Sequence, residues 1–440
     1  MKNSVIRALT LWSAVASTAR HRFGCIEQKP NPKRRRRFAL PAHSTILTLF
    51  GTLLSIFFLS CKTGDASLGM TQSPLFTQAP GPAITVTGGP SDVVVGDMNK
   101  DGKPDLVVTS GQARTITVLL SAGGSDARFR GTGSTLTVSD SPGEMVLGDV
   151  NGDTNPDLAF VTHDSYGVTI LLGDGKGGLA LAANSPIVMK EGQHPHTHGL
   201  AMDDINRDGK LDLVTVNNED NDVSVAFGDG RGNFTNAAGS PFAVGPSPYP
   251  LALGDVNNDG HPDIVATTTA TGQRRAQQLP FSRALTLLLA NGRGGFRSSL
   301  LPLRTGQPWF VVIGDVNGDR KPDLMATHHD QSALTVLLGD GNGSFKEASA
   351  SPFDFGHAAY HMVLADVNHD GKPDAIAAAG DGVRVMLGDG RGGFTTAPHS
   401  PFVTGKGTWR LALGDVNGDG RVDVITANTE SNTVGVLLGR

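Results

Sequence analysis

Four oxygen-bearing side chains recur at one fixed spacing seven times along the 440-residue chain. The last copy carries Asp415, Asn417, Asp419 and Asp423 at positions 1, 3, 5 and 9 of a nine-residue loop. The others are Asp97, Asn99, Asp101 and Asp105; Asp149, Asn151, Asp153 and Asp157; Asp204, Asn206, Asp208 and Asp212; Asp255, Asn257, Asp259 and Asp263; Asp315, Asn317, Asp319 and Asp323; and Asp366, Asn368, Asp370 and Asp374. These oxygens converge only if the backbone turns tightly, which a Gly at position 6 permits. Carboxylates so crowded repel one another. A hard cation with flexible coordination relieves the repulsion, and Ca²⁺ suits a set of mostly protein ligands better than Mg²⁺. Up to seven Ca²⁺ ions are therefore expected. Thr154 and Arg320 replace the Gly in two copies. A β-branched Thr tolerates positive φ poorly, so the Asp149 loop is expected to be the weakest site if its turn is kept.

The opening resembles the EF-hand loop in its logic, but the Glu at position 12 is missing. An Asp closes the loop at position 9, directly before an apolar run, so the loop joins two strands rather than two helices. Successive copies start 52, 55, 51, 60, 51 and 49 residues apart. A near-constant period of that size marks a repeat architecture. Each repeat has an apolar strand such as Val311-Val312-Ile313 before the loop and a second such as Leu213-Val214 after it. A third, such as Thr335-Val336-Leu337-Leu338, ends in a Gly-rich hairpin, and a weaker fourth carries a Ser-Pro-Phe element such as Ser351-Pro352-Phe353. Four short strands repeated seven times predict an all-β, seven-bladed β-propeller over residues 75–440. The last repeat stops at Leu438-Gly439-Arg440, where its fourth strand should begin, and residues 76–86 hold a matching element. The N-terminal strand is thus expected to complete the last blade by pairing near Val434–Leu438 and to leave no open edge.

The calcium loops and the Gly-Asp-Gly hairpins resemble the FG-GAP/VCBS repeats of bacterial surface proteins, which are similar to the seven-bladed head of integrin α-chains. The resemblance covers essentially all of 75–440. It implies calcium in the loops between first and second strands, on the bottom rim, held by positions 1, 3, 5 and 9 through side chains and position 7 through its carbonyl. It implies a fold, not a function, because such propellers host adhesins, lectin-like modules and some enzymes.

The net charge of −5 divides unevenly: residues 1–60 carry ten Lys/Arg against one acid, +9, which leaves −14 on the remainder. Half of the 42 acidic residues are loop Asp, and seven Ca²⁺ would bring the repeat region near neutrality. That balance excludes nucleic acid as a partner. The basic run Lys33–Arg37, the apolar run Thr45–Leu59 and then Ser60-Cys61 form a secretory signal. Phe58-Leu59-Ser60-Cys61 resembles a bacterial lipobox, with Phe58 where Leu is usual. Residues 1–60 are then targeting sequence, with 1–32 a possible over-extension of the start, and 61–74 a lipidated Cys61 and tether. The expected location is the bacterial cell envelope, anchored to a membrane through lipid. The mature chain would be monomeric and without a disulfide, so calcium would replace the staple.

Six residues before each loop's first Asp stand Ser91, Gly143, His198, Tyr249, Trp309, Tyr360 and Trp409. A ring occupies five of seven such positions in a chain with 6% aromatics. The strand direction puts this register on the face opposite the calcium loops. Exposed, His198, Tyr249, Trp309, Tyr360 and Trp409 would bind a glycan or an extracellular protein; half-buried, they would wedge neighbouring blades. His194, His196 and His198 alternate on the same approach and could share a Zn²⁺ if the chain is extended there. His163, His328, His329, Asn217, Asn218, Glu219 and Asp220 fall in top-face loops, and an insert near 271–283 holds Arg274, Arg275 and Arg283. No nucleophile elbow, P-loop or H-E-x-x-H motif is present. The leading expectation is a calcium-stabilised cell-surface binding or adhesion module, with no catalytic residue assigned. A calcium-assisted polysaccharide lyase or hydrolase, using Glu219 with His198 or His163, and a purely structural scaffold stay open.

Overall fold

A computed structural model describes residues 73–269, 283–328 and 330–440. The targeting segment, Cys61, nearly all of the tether, Arg274, Arg275 and His329 lie outside the described residues. The described chain is all-β: seven antiparallel sheets of four strands, several with a short extra piece at the outer edge.

Blade 1 runs Pro90–Gly96, Asp105–Ser110, Thr115–Ser121 and Phe129–Thr137. Blades 2 to 6 open with Pro142–Gly148, Thr197–Asp203, Leu251–Gly254, Pro308–Gly314 and His361–Ala365. Blade 7 is Thr408–Gly414, Asp423–Asn428 and Thr433–Gly439, completed by Phe76–Gln78 from the chain's start. There Phe76 pairs with Gly439 and Gln78 with Leu437, while Ile84 pairs with Val434. The expected closure is borne out. It is reinforced by Arg440 N–H donating to the Leu75 carbonyl and Arg440 Nε to Thr77 Oγ1.

Each first strand lies beside the first strands of the two neighbouring blades, and the cycle closes from Thr408–Gly414 back to Pro90–Gly96. The first strands therefore line the axis. The second strands are covered on both faces: Asp105–Ser110, Asp157–Thr162, Asp212–Asn217 and Asp263–Thr268 are buried at every residue, with an apolar run after the leading Asp. The core is divided into seven clusters, each between the faces of two adjacent blades. One joins Val93, Val95 and Leu106 to Ala412, Ile425 and Val436 across the closure; another joins Val214, Val216 and Val225 to Leu253 and Ile264.

In blades 2, 3, 5 and 7 the fourth strand is split. In blade 5 it consists of Phe345–Glu347 and Phe353–Asp354, both on Ala333–Gly339. Between the two pieces Ser351 Oγ accepts the Val336 N–H at 3.1 Å. Ser185, Ser240 and Ser400 do the same for Ile170, Val225 and Val385. The Ser of each Ser-Pro-x element thus stands in for a missing ladder carbonyl.

Candidate functional site

The Asp loops leave the ends of the first strands and form one rim of the ring. Their backbones are alike. The position-6 N–H donates to the position-1 carboxylate at 2.8–2.9 Å in all seven copies. The position-5 N–H donates to the Asn Oδ1 of position 3, and the position-7 N–H to the carboxylate of position 5, again in all seven. Position 6 has positive φ throughout, including Thr154 at 70° and Arg320 at 65°. The turn is therefore imposed by the loop's hydrogen bonds even where a side chain opposes it, and Thr154 carries the strain expected of a weak copy.

Position 9 departs from the other three. Asp105, Asp157, Asp212, Asp263, Asp323, Asp374 and Asp423 are fully buried. One oxygen of each accepts the N–H of position 2, such as Val256 to Asp263 at 3.0 Å; the other accepts an N–H at the end of the third strand, such as Ala290 at 2.8 Å. Burial pushes Asp157, Asp212, Asp323, Asp374 and Asp423 up to about 6 and Asp263 to about 7. Backbone N–H bonds oppose the rise, and the loop's own carboxylates add to it. This donor set fits a hard cation: all-oxygen ligands, an exposed mouth, and a buried carboxyl whose ionised form lacks a counter-charge. Positions 1, 3, 5 and 9 would hold the Ca²⁺, which would supply that charge.

On the opposite face the first strands of blades 1, 2, 3, 5 and 7 begin with β-bulges, whose extra residue leaves the ladder and re-aims its side chain. Register shifts between Pro90 and Asp92, Pro308 and Phe310, and Thr408 and Arg410 put Ser91, Trp309 and Trp409 on the bulge; a further shift lies between His198 and Leu200. The five rings come together blade by blade. His198 lies on Tyr249 at 3.8 Å between centroids, Tyr249 stacks on Trp309 at 4.2 Å, and Tyr360 stacks on Trp409 at 4.5 Å. Trp309 is only 8% exposed, and burial pushes the Tyr249 phenol up to about 12. Much of the ring surface is spent on neighbouring rings, which is inter-blade packing; Tyr360 and Trp409 keep part of theirs open to solvent.

One residue further along, side chains meet across the axis. Arg410 of blade 7 pairs with Glu144 of blade 2, which is not its neighbour, and lies over the Phe310 ring of blade 5. Phe310 in turn meets His361 of blade 6 edge-on at 4.5 Å. Asp92 of blade 1 accepts the N–H groups of Val93 and Met145 and feels the Arg410 charge. Sequence reasoning missed this cluster. The available signal was two acids and an Arg at one register position, five before the loop Asp, in strands otherwise apolar.

The His residues assemble differently from the expected trio. His194 is exposed and stands apart, whereas His163, from the loop after the second strand of blade 2, joins His196 and His198. Ring centroids are 4.0 Å apart for His163 and His196, 4.6 Å for His196 and His198, and 4.9 Å for His163 and His198. Glu219 faces His196, with Oε1 3.6 Å from Nδ1, rather than His198 or His163. Beside them Lys190 binds Asp220 and Asp222 at 2.9 and 2.7 Å, and the Tyr166 hydroxyl donates to Asp220. His328 is buried in blade 5 on Thr335 Oγ1, away from this group. A cleft of about 670 Å³ opens between blades 5 and 6 on the Asp-loop side, lined by glycines and by Asp315, Lys372, Asp389 and Arg391 without an aromatic ring.

This closed ring with its repeated Asp loops defines a seven-bladed β-propeller. The FG-GAP-like repeat matches residues 97–160, 149–215, 204–266, 315–377 and 366–426, more than half of the chain, and the protein belongs to that family. No curated protein matches the sequence. Among solved structures, BBS1N in complex with ARL6DN is similar over 83% of this chain and 97% of its own, at 12% identity and a TM-score of 0.54. A 6-phosphogluconolactonase-like protein of Bacteroides fragilis covers 70% and 83% at 13% identity and 0.51. A catalytically inactive virginiamycin B lyase of Staphylococcus aureus with quinupristin covers 82% and 99% at 12% and 0.50. Likeness at such identities is likeness of fold.

Proposed function

We propose that the protein is a calcium-stabilised binding or adhesion module of the bacterial cell surface, lipid-anchored through Cys61, that engages a glycan or an extracellular protein on the face opposite the Asp loops. One observation carries the reading. The axis is crossed by Arg410, Glu144, Phe310 and His361, so a ligand has to be taken on the surface, and the chemically varied side chains gather on one rim. Tyr360 and Trp409, half-exposed and stacked, offer a flat apolar edge on the same face as the polar group of blades 2 and 3. The propeller BBS1N is itself seen in complex with a protein, ARL6DN, which agrees with a protein-binding use of such a ring.

The test is a glycan array and a panel of extracellular matrix proteins, probed in calcium and in EDTA with the wild type and with Trp409→Ala. Binding in calcium that weakens about fivefold or more in Trp409→Ala, with unchanged melting, supports the reading. Binding unaffected by Trp409→Ala moves the site elsewhere. A parallel polysaccharide-degradation assay covers the lyase or hydrolase alternative, for which the Glu219–His196 pair is the available acid–base couple.

A further inference from the structure

We propose that His163, His196 and His198 form a Zn²⁺ site at the junction of blades 2 and 3, separate from the Asp loops on the opposite face. One nitrogen from each ring lies within 4.8 Å of the other two, the only such convergence of His, Cys, Asp or Glu ligand atoms among the described residues. Imidazole nitrogens favour zinc and its neighbours over calcium, and three of them leave a fourth position for water or a carboxylate. Glu219, 3.6 Å from His196 Nδ1, backs that ring from outside and leaves the fourth position to water.

The geometry around the rings assigns their nitrogens. His163 Nδ1 is held by the Asp164 carboxylate at 2.9 Å, which leaves Nε2 for a metal and orients the ring as supporting carboxylates commonly do. His196 turns Nδ1 to Glu219, leaving its Nε2. His198 Nε2 is buried and has no hydrogen-bond partner. A buried polar atom left unmatched is costly, and a cation would satisfy it. The backbone between the rings is fixed from both sides: Thr197 N–H donates to the His163 carbonyl at 3.1 Å, and Asn218 N–H to the His196 carbonyl at 2.8 Å. Tyr249 clamps the His198 ring from the other side. Zinc–nitrogen bonds of about 2.1 Å place tetrahedral ligands roughly 3.4 Å apart. A small χ rotation of the half-exposed His163 would close the remaining gap.

The experiment is a Co²⁺ titration of the full chain in saturating Ca²⁺, followed by Zn²⁺ competition. One equivalent of Co²⁺ should give the visible absorption of a tetrahedral nitrogen-ligated ion, and Zn²⁺ should abolish it. His163→Asn, on an exposed loop, should keep its melting temperature and lose at least tenfold in Zn²⁺ affinity; His198→Asn should do likewise. His194→Asn should bind as the wild type. No stoichiometric Co²⁺ uptake, or full affinity in His163→Asn, overturns the site. Loss in His194→Asn with retention in His163→Asn overturns it in favour of the linear His-x-His-x-His arrangement.

Discussion

At Asp263 both carboxylate oxygens accept buried backbone N–H groups, one from the loop and one from the third strand. The side chain ties two strands together whether or not a cation is present. Asp263→Asn replaces one acceptor by an NH₂ group facing an N–H donor, so it should destabilise the protein by about 1–3 kcal/mol. The loss should persist in EDTA; a loss confined to calcium-containing buffer would reduce position 9 to a metal ligand alone. The raised pKa has a further consequence. A carboxyl at about 6 to 7 when folded and about 3.9 when unfolded binds more protons folded, so its contribution to stability falls as pH rises from 4 to 7. A bound Ca²⁺ would replace that proton. The gap between melting temperatures in calcium and in EDTA should therefore widen from pH 5 to pH 7.5, and a gap independent of pH would contradict calcium at the buried carboxyls. The buried histidines titrate in both buffers and cancel in the difference. Spacing alone made the four loop positions legible. It could not reveal that position 9 is an anchor, because the Ala290 partner is 27 residues away and is met only through the ladder.

Glycine at the end of the third strand shows the same coupling between elements. A Cβ on Gly339 would lie 2.0 Å from the Pro322 carbonyl of the loop; at Gly173 and Gly388 the distances to Pro156 and Pro373 are 2.0 and 2.1 Å. The first Gly of these Gly-Asp-Gly hairpins is thus required by close approach to the Asp loop, beyond the turn chemistry that the sequence suggests. Gly339→Ala should cost about 1–3 kcal/mol through forced backbone shifts. Ala290, which occupies this position in blade 4, should tolerate Gly at a cost of about 1 kcal/mol or less. Equal effects in thermal melting would contradict the close-approach argument. Strand number and order were readable because apolar runs alternate with turn residues at a constant period. The split fourth strand was not, since a Ser hydroxyl replacing a backbone acceptor leaves no periodic trace. Nor were the bulges that set the aromatic rings, because an extra residue in a ladder is defined by its partner strand.

For the whole molecule, stability rests on seven inter-blade cores joined in a circle, without a disulfide among the described residues. Calcium at several loops should add to this by mass action, about 2.7 kcal/mol for each site at a hundredfold excess over its Kd. Melting in EDTA should fall by many degrees; identical curves would show the Asp rim to be empty in solution. Removing residues 76–86 should expose the edge of Thr433–Gly439 and lead to aggregation or a broad, non-cooperative transition. A truncated chain that melts as sharply as the intact one would show the ring to be sealed without that strand.

The strand that seals the ring also fixes a schedule. Phe76–Gln78 leaves the ribosome before any blade exists, yet its partner Thr433–Gly439 is made more than 350 residues later. At about 5–20 residues per second the first segment waits some tens of seconds with its backbone unpaired. Six blades can assemble in sequence order while the seventh stays open. Were the chain exported unfolded, as the proposed envelope location requires, the closing step would fall outside the membrane, where Ca²⁺ would be at hand for the newly formed loops. Folding and arrival at the envelope would become one event, ended by the oldest part of the chain docking beside the newest.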